Sequence, residues 1–434
     1  MNHLRILNSD KLNEDTLHQY IPRVETQLEL VKKSVNKIIR EVKNKGDKAL
    51  INFTHKFDGV NLNIQEIQVP KEEISQAYIN IDPSLLQAIH SAKENLIKFN
   101  KAQKREDWSI EITKGVIAGQ IYRPIEAIGI YIPGGRAIYP STVLMIAAPA
   151  YVAGINEIIM CTPPQKNKEI SPEILVAASE FKINKIYKVG GAQAIAAMAY
   201  GTETVPKVQK VVGPGNVWVN TAKQLLSNII AIDAPAGPSE VLIIADEFAD
   251  PNYVIVDLLS QIEHDPDNVG IIVTDSEDLI NKITDLIEEY VLQSKRRVII
   301  ENALKNNSII IKAKDLEDCT RISNFIAPEH LEILVKNPNG LIDEIKNAGA
   351  IFLGPFSPIP LGDYCAGTNH ILPTGGSAKK YSGLNLHDFL KTIDILQCDK
   401  DGLEELSATA IKLAEFEGLY AHKRSIEERL KDKD

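Results

Sequence analysis

A chain of 434 residues, 44% hydrophobic and 24% charged, has the make-up of a soluble globular protein with apolar material for two or three domains. Its net charge of −10 argues against a nucleic-acid partner, which would ask for a basic patch or stripe. No run reaches the ~18–20 apolar residues of a membrane span, the first twenty residues hold no signal-like apolar core, and Cys161, Cys319, Cys365 and Cys398 form no CxxC pair; a cytoplasmic protein with reduced thiols is expected.

In chain order, residues 1–26 read as an N-terminal helical arm. The 3-4-3-4 spacing of Leu28, Val31, Val35, Ile38 and Val42 predicts an amphipathic helix. Gly46 stops it, and Asp47 is placed to cap a short helix bearing Leu50, Phe53 and Phe57. Asp82-Pro83 starts another helix, with Leu85, Leu86, Ile89, Ala92, Leu96 and Phe99 on its buried face and His90 beside it as a surface histidine. From Ala127 the rhythm changes. The β-type runs AIGIYI, EIIMCT, KIYKVG, KVVG and IIAID alternate with small-residue helical stretches, and a second series follows in VLIIAD, NVGIIVTD, SIIIKA, LEILV and AIFLG. Alternation of this kind predicts βα units and parallel sheets, in two domains that meet near Pro235 to Ser239. The tail from about Ser382 reads as helical, with Leu403, Leu406, Ala410, Leu413 and Phe416 on one helix, a break at Gly418, and a further helix in AHKRSIEERL. It is too short to build its own core and must pack on its own body or on a second subunit.

Nucleotide fingerprints of the GxGxxG or Walker type are absent from the sequence. Pro133–Gly135, Val189–Gln193 and Gly213–Asn216 are instead three glycine-rich turns, each after a strand and before a helix, where open parallel sheets bind ligands. Turn glycines alone would leave the same trace; three on one sheet favour a ligand-binding edge. Gln261 and His264, three residues apart, can converge on a point, and zinc accepts both donor types. A hydrogen-bonded pair at a helix end is the commoner outcome of such spacing, and a metal needs partners such as Asp363 and His422. Glu329 and His330 are an adjacent carboxylate and imidazole after Ala327-Pro328, able to act together if the backbone turns there. An ion-paired surface couple is the other reading. Cys161, inside an apolar strand, reads as buried and inert rather than nucleophilic; Cys365 reads as a packing residue, and Trp108 and Trp218 as core or anchoring aromatics.

These segments combine into a resemblance. IYIPGGRAIYPSTVLM, VGGAQAIAAMAYGT, GPGNVWV, DAPAGPSE, SQIEHDPD, APEHLE, GDYCAGTNHILPT and EGLYAHKRS occur in the order seen in the histidinol dehydrogenase family, and the similarity spans nearly the whole chain. The resemblance implies an α/β fold of two incomplete Rossmann-like parallel-sheet domains with small helical extensions. Residues 27–130 and 240–381 would form the domain with the metal and catalytic residues, 131–239 the NAD side, and 382–434 a tail crossing to the partner of a homodimer. It implies the NAD-dependent four-electron oxidation of L-histidinol, through L-histidinal, to L-histidine. Zinc would be held by Gln261, His264, Asp363 and His422 and would position the substrate. His330 matches the general base and Glu329 the water-activating residue. Ser239, His370 and Glu417 match substrate contacts, with Glu417 and His422 serving the other subunit, and Tyr131, Gln193 and Asn216 match NAD-binding positions. A zinc hydrolase using Glu329, and a binding protein that keeps the imidazole pocket without catalysis, are the alternative readings. NAD dependence separates the first, and the retention of both Glu329 and His330 speaks against the second.

Overall fold

The computed structural model describes residues 4–13, 17, 25–134, 138–234 and 237–431. By packing, Met1–Ala102 and Glu126–Asp388 form one unit, and Gln103–Ile125 and Phe389–Asp434 another.

The first unit holds two parallel sheets. Their strands are near-continuous Val/Ile runs because each is covered on both faces. Glu240–Ala245 and Val269–Thr274 are buried along their whole length. In the six-stranded sheet the order is Arg5–Asn8, Ser308–Lys312, Val269–Thr274, Glu240–Ala245, His330–Leu334, Ala350–Leu353. Helices Pro251–Ile262, Glu277–Gln293 and Arg297–Asn307 cover one face, and Leu316–Ile326 covers the other. The five-stranded sheet runs Lys185–Lys188, Glu157–Thr162, Ala127–Tyr131, Lys210–Val212, Ala231–Ile232. In the five-stranded sheet the chain enters at the middle, steps outward twice and returns to the other side, and from Glu240 onward the six-stranded sheet is built the same way, the doubly wound path that leaves a switch point beside the central strand. At the switch point of the five-stranded sheet the backbones come so close that a Cβ on Gly213, whose φ is +125°, would lie 2.1 Å from the Tyr131 carbonyl oxygen. Only glycine fits there.

Three differences from the sequence reading lie in the first unit. The described part of the N-terminal arm is extended: Arg5–Asn8 pairs in parallel with Ser308–Lys312 and buries Leu7, so the arm adds a strand to the sheet edge; most of residues 14–24 lies outside the described residues. Helix Glu25–Lys45 buries Val35, Ile38, Ile39 and Val42 against Ala127, Ala196 and Val219, so the segment assigned to the catalytic domain packs on the five-stranded sheet instead. Asp47 does not cap the helix Asp47–Phe53; it is 1% exposed and accepts hydrogen bonds from Thr202 Oγ1 (2.6 Å), Thr204 N–H (3.3 Å) and the Thr204 hydroxyl. Pro235, at the expected domain junction, and Gly135, in the first glycine turn, lie outside the described residues.

In the second unit, strands Trp108–Thr113, Val116–Pro124 and Leu390–Cys398 form an antiparallel sheet with Val116–Pro124 in the middle. The tail expected to be helical therefore begins with a nine-residue strand, and only then come helices Lys400–Phe416 and Tyr420–Leu430. Gly418, at φ +72°, separates them as expected. Phe416 is 92% and Tyr420 72% exposed, leaving an apolar patch uncovered.

Candidate active site

The predicted acid–base pair stands at the amino ends of two neighbouring strands, where His330 pairs with Val241. Helix Leu316–Ile326 ends at Ala327, held at φ +57°, and Pro328 then turns the chain into the strand. That turn is the one the sequence demanded if both side chains were to serve one site. Glu329 and His330 are both buried, and the peptide groups of a single residue hold both: the Glu240 N–H donates to Glu329 Oε2 at 2.8 Å, and the Glu240 carbonyl lies 3.1 Å from His330 Nδ1. A carbonyl only accepts, so Nδ1 carries the hydrogen and Nε2 is the basic nitrogen of the neutral ring. Nε2 is buried, has no hydrogen-bond partner among the described residues, and lies 3.5 Å from Asp363 Oδ1. Close packing fixes the pair from behind: a Cβ on Gly349 would sit 2.5 Å from the Glu329 carbonyl oxygen.

Burial pushes the Glu329 carboxyl up to about 8, with the His330 charge pulling the other way. Burial lowers the His330 imidazole, but the carboxylates of Glu329 and Asp363 outweigh it and hold the ring at about 9. The pair thus retains protons near neutrality, and the imidazole becomes a free base on the alkaline side.

Gln261 lies in the last turn of helix Pro251–Ile262, and its Nε2 is 3.4 Å from Asp363 Oδ2. His264 falls past the helix end, in the turn before Asp265-Pro266, because the residues ahead of a proline leave the helical region. The shared helix face expected of the two is therefore a helix end and the turn beyond it. Burial is the chief influence keeping His264 below its ordinary value, against Asp363 and Glu263. In Asp363 burial acts upward, but His330, His370 and Gln261 prevail and the carboxyl is held low. A neutral imidazole, a charged carboxylate and an amide are a donor set that suits a divalent zinc ion. Among the described residues no three His, Cys, Asp or Glu side chains close on one metal-sized point. Glu417 and His422 belong to the second unit, where both are exposed.

His370 is spanned by two contacts, Nδ1 with the Asp363 carbonyl at 2.8 Å and Nε2 with Thr142 Oγ1 at 3.2 Å. Thr142 opens helix Pro140–Ala153 beyond the carboxyl end of Ala127–Tyr131, so the carboxyl edge of one sheet meets the amino edge of the other here. Ser239 is set by Asn268, which accepts from the Ser239 N–H at 3.1 Å and donates to the Gln261 carbonyl at 2.8 Å. On the other sheet, Tyr131 is buried and its hydroxyl accepts from the Gly191 N–H at 3.0 Å, and Gln193 is buried in the same turn. Asn216 caps helix Val217–Leu226 by accepting from the Trp218 and Val219 N–H groups. Tyr131 and Asn216 thus brace two of the glycine-rich turns, and Gln193 lies in the first turn of the helix Gly191–Tyr200. Cys161 is fully buried, and burial pushes its thiol far up, as an inert cysteine requires.

Sequence reasoning missed Glu240, whose backbone orders the acid–base pair and whose carboxylate accepts from the Gly375 N–H at 2.9 Å. It also missed Asp257 and Glu332, a buried carboxyl pair behind the site. An acid at the head of EVLIIA and another inside LEILV were the only signals.

Two doubly wound sheets with a buried carboxylate–imidazole pair where their edges meet define an α/β enzyme. The family model described as histidinol dehydrogenase matches residues 21–430. The histidinol dehydrogenase of Methanosarcina barkeri is 49% identical over 403 residues, covering 93% of this chain and 92% of its own. That of Methanothermobacter thermautotrophicus is 44% identical over 416 residues, 96% of this chain and 97% of its own. The crystal structure of histidinol dehydrogenase from Elizabethkingia anophelis superposes with a TM-score of 0.94 at 42% identity, covering 99% of this chain and 98% of that one. The chain belongs to the histidinol dehydrogenase family, oxidoreductases of histidine biosynthesis. Among the described residues no helix is long and apolar enough to cross a membrane.

Proposed function

We propose that the site oxidises L-histidinol through L-histidinal to L-histidine, with His330 as general base in both steps. The observation that carries this is the state of His330: Nδ1 is engaged by a carbonyl, while Nε2 is buried and unpartnered beside Asp363. An imidazole so held can take the alcohol proton while a hydride leaves carbon. In the second step Glu329 accepts a proton from the water that adds to the aldehyde, and His330 takes the proton of the resulting hydrate. NAD+ is the hydride acceptor in each step; the switch-point turns around Tyr131, Gln193 and Asn216 suit a dinucleotide.

Gln261, His264 and Asp363 would hold zinc, which when bound supplies a fixed point for the imidazole and amino groups of the substrate. Ser239 and His370 flank the same region. His422 and Glu417 would complete the site of a partner subunit, a reading supported by the uncovered Phe416 and Tyr420 on the tail. The test is NADH formation from L-histidinol with protein as isolated, after chelation and after zinc is restored. Two NADH per histidinol, lost on chelation and regained with zinc, is the expected outcome. NADH formation indifferent to chelation would remove zinc from the proposal, and none at all from folded, zinc-loaded protein would remove the reaction.

A further inference from the structure

Helix Pro140–Ala153 is buried on every side from Thr142 to Ala150, so any polar group in that run must find its partner inside the protein. The run TVLMIAAPA supplies two such groups. One is the Thr142 hydroxyl. The other is the Met145 carbonyl: Pro149, four residues on, has no N–H to return to it, so the helix leaves this acceptor over.

Two adjacent residues from beyond the other sheet take both. Asn369 Nδ2 donates to the Met145 carbonyl at 2.7 Å, and His370 Nε2 lies 3.2 Å from Thr142 Oγ1. Thr142 and Met145 are three apart and share a helix face, so the two contacts fix the direction of the loop as well as its place. Its earlier part is held from another helix, Pro83–Ala102. There Asn95 Nδ2 donates to the Cys365 carbonyl at 3.0 Å, and a Cβ on Gly367, whose φ is +111°, would lie 2.8 Å from Phe99.

His370 is the member of this loop nearest the chemistry. Its Nδ1 lies 2.8 Å from the Asp363 carbonyl, which only accepts, so Nδ1 carries the hydrogen and Nε2 of the neutral ring accepts from the Thr142 hydroxyl. With both nitrogens engaged the ring has one tautomer and one orientation, and a half-turn would break both bonds. The Asp363 side chain in turn lies 3.5 Å from His330 Nε2 and 3.4 Å from Gln261 Nε2.

We propose that Thr142 is a positioning residue for L-histidinol: from a helix of the five-stranded sheet, its hydroxyl sets the tautomer and rotamer with which His370 meets the substrate. The inference rests on the reading of His370 as a substrate contact. Without the hydroxyl, Nε2 loses its donor and the ring can turn. The cost falls on binding, because Glu329 and His330 are held independently by the Glu240 peptide groups.

The test is calorimetric titration of the zinc-loaded protein with L-histidinol, beside KM and kcat from NADH formation, in Thr142→Val, Thr142→Ser, His370→Ala and the double variant Thr142→Val/His370→Ala. Thr142→Val keeps the shape and removes the hydroxyl. L-histidinol should then bind roughly 3- to 10-fold more weakly, the loss expected of one neutral hydrogen bond. Its KM should rise alongside, while kcat and the KM for NAD+ stay within about twofold of wild type. Thr142→Ser should restore binding. In the His370→Ala background Thr142→Val should cost less than about twofold more, since no ring remains to be held. Thr142→Ala removes the same hydroxyl and serves if Thr142→Val does not fold. Wild-type L-histidinol affinity in a folded variant without the hydroxyl, an undiminished loss in the His370→Ala background, or a change confined to the KM for NAD+ would overturn the assignment and leave the reaction standing. Wild-type protein that neither binds L-histidinol nor forms NADH would overturn the substrate reading, and this inference with it.

Discussion

Replacing His330 by asparagine separates chemistry from architecture at the proposed base. The asparagine amide can still donate toward the Glu240 carbonyl that engages Nδ1, 3.1 Å away in the native protein, so the buried backbone keeps a partner. What disappears is Nε2, the nitrogen left without a partner. Loss of a general base lowers turnover by roughly 10²–10⁴-fold, which is about 2.7–5.4 kcal/mol of transition-state stabilisation. The pH dependence is a second fingerprint. With the ring held at about 9, about 1% of it is neutral at pH 7, since each pH unit below the pKa costs tenfold in free base. A base works only when deprotonated, so the single-turnover rate of NADH formation should climb about tenfold per unit from pH 7 and level off above about 9. His330→Asn should flatten that limb while thermal stability and zinc content stay near wild type. A folded, zinc-loaded variant within tenfold of wild type and still showing the limb would refute the assignment of His330.

Three further outcomes are expected. Glu332 is fully buried, and burial and Asp257 push its carboxyl up to about 9; the folded state therefore holds a proton that the unfolded chain releases near 4.5, and stability is lost as pH rises toward 9. Glu332→Gln cannot ionise, so its unfolding free energy should fall less than that of wild type between pH 6 and 9, by up to about 4 kcal/mol at about 1.36 kcal/mol per pH unit; parallel profiles would count against the buried pair. Cys161→Ala should keep turnover within a few-fold, because the thiol is sealed inside the sheet, and a dead but folded variant would revive a thiol mechanism. Mixing His422→Ala with His330→Ala protein under subunit exchange should restore activity in heterodimers, and its absence despite proven exchange would place the tail in its own subunit's site.

The parallel sheets were legible because strands buried on both faces must be written in Val and Ile without interruption, as in VLIIAD and SIIIKA. Short or one-sided pairing left weaker marks. Arg5–Asn8 has four residues and one buried position, too few to show a period. Leu390–Cys398 takes its hydrogen bonds from Val116–Pro124, far back in the chain, and its side chains are mostly exposed, so nothing local announced a strand. In the site, Glu329 and His330 were visible as a chemical pair, and Gln261 Nε2 lies 3.4 Å from Asp363 Oδ2. Glu240 and Glu332 were not visible, because what distinguishes a carboxylate there is the loss of water around it, and burial follows from packing that no short motif encodes.

The three-stranded antiparallel sheet also bears on how such a chain can be recombined. Its middle strand comes from the interior of the sequence and its outer partner from near the end, matched over nine residue pairs from Leu390–Pro124 to Cys398–Val116. A chimera that takes its C-terminal segment from one relative and residues 103–125 from another would join two edges shaped by separate histories. A chain cut before Phe389 would leave the backbone of Val116–Pro124 open along that side, a template for other chains. Gln103–Ile125 and Phe389–Asp434 therefore constitute one heritable module written in two places, to be exchanged together or left alone.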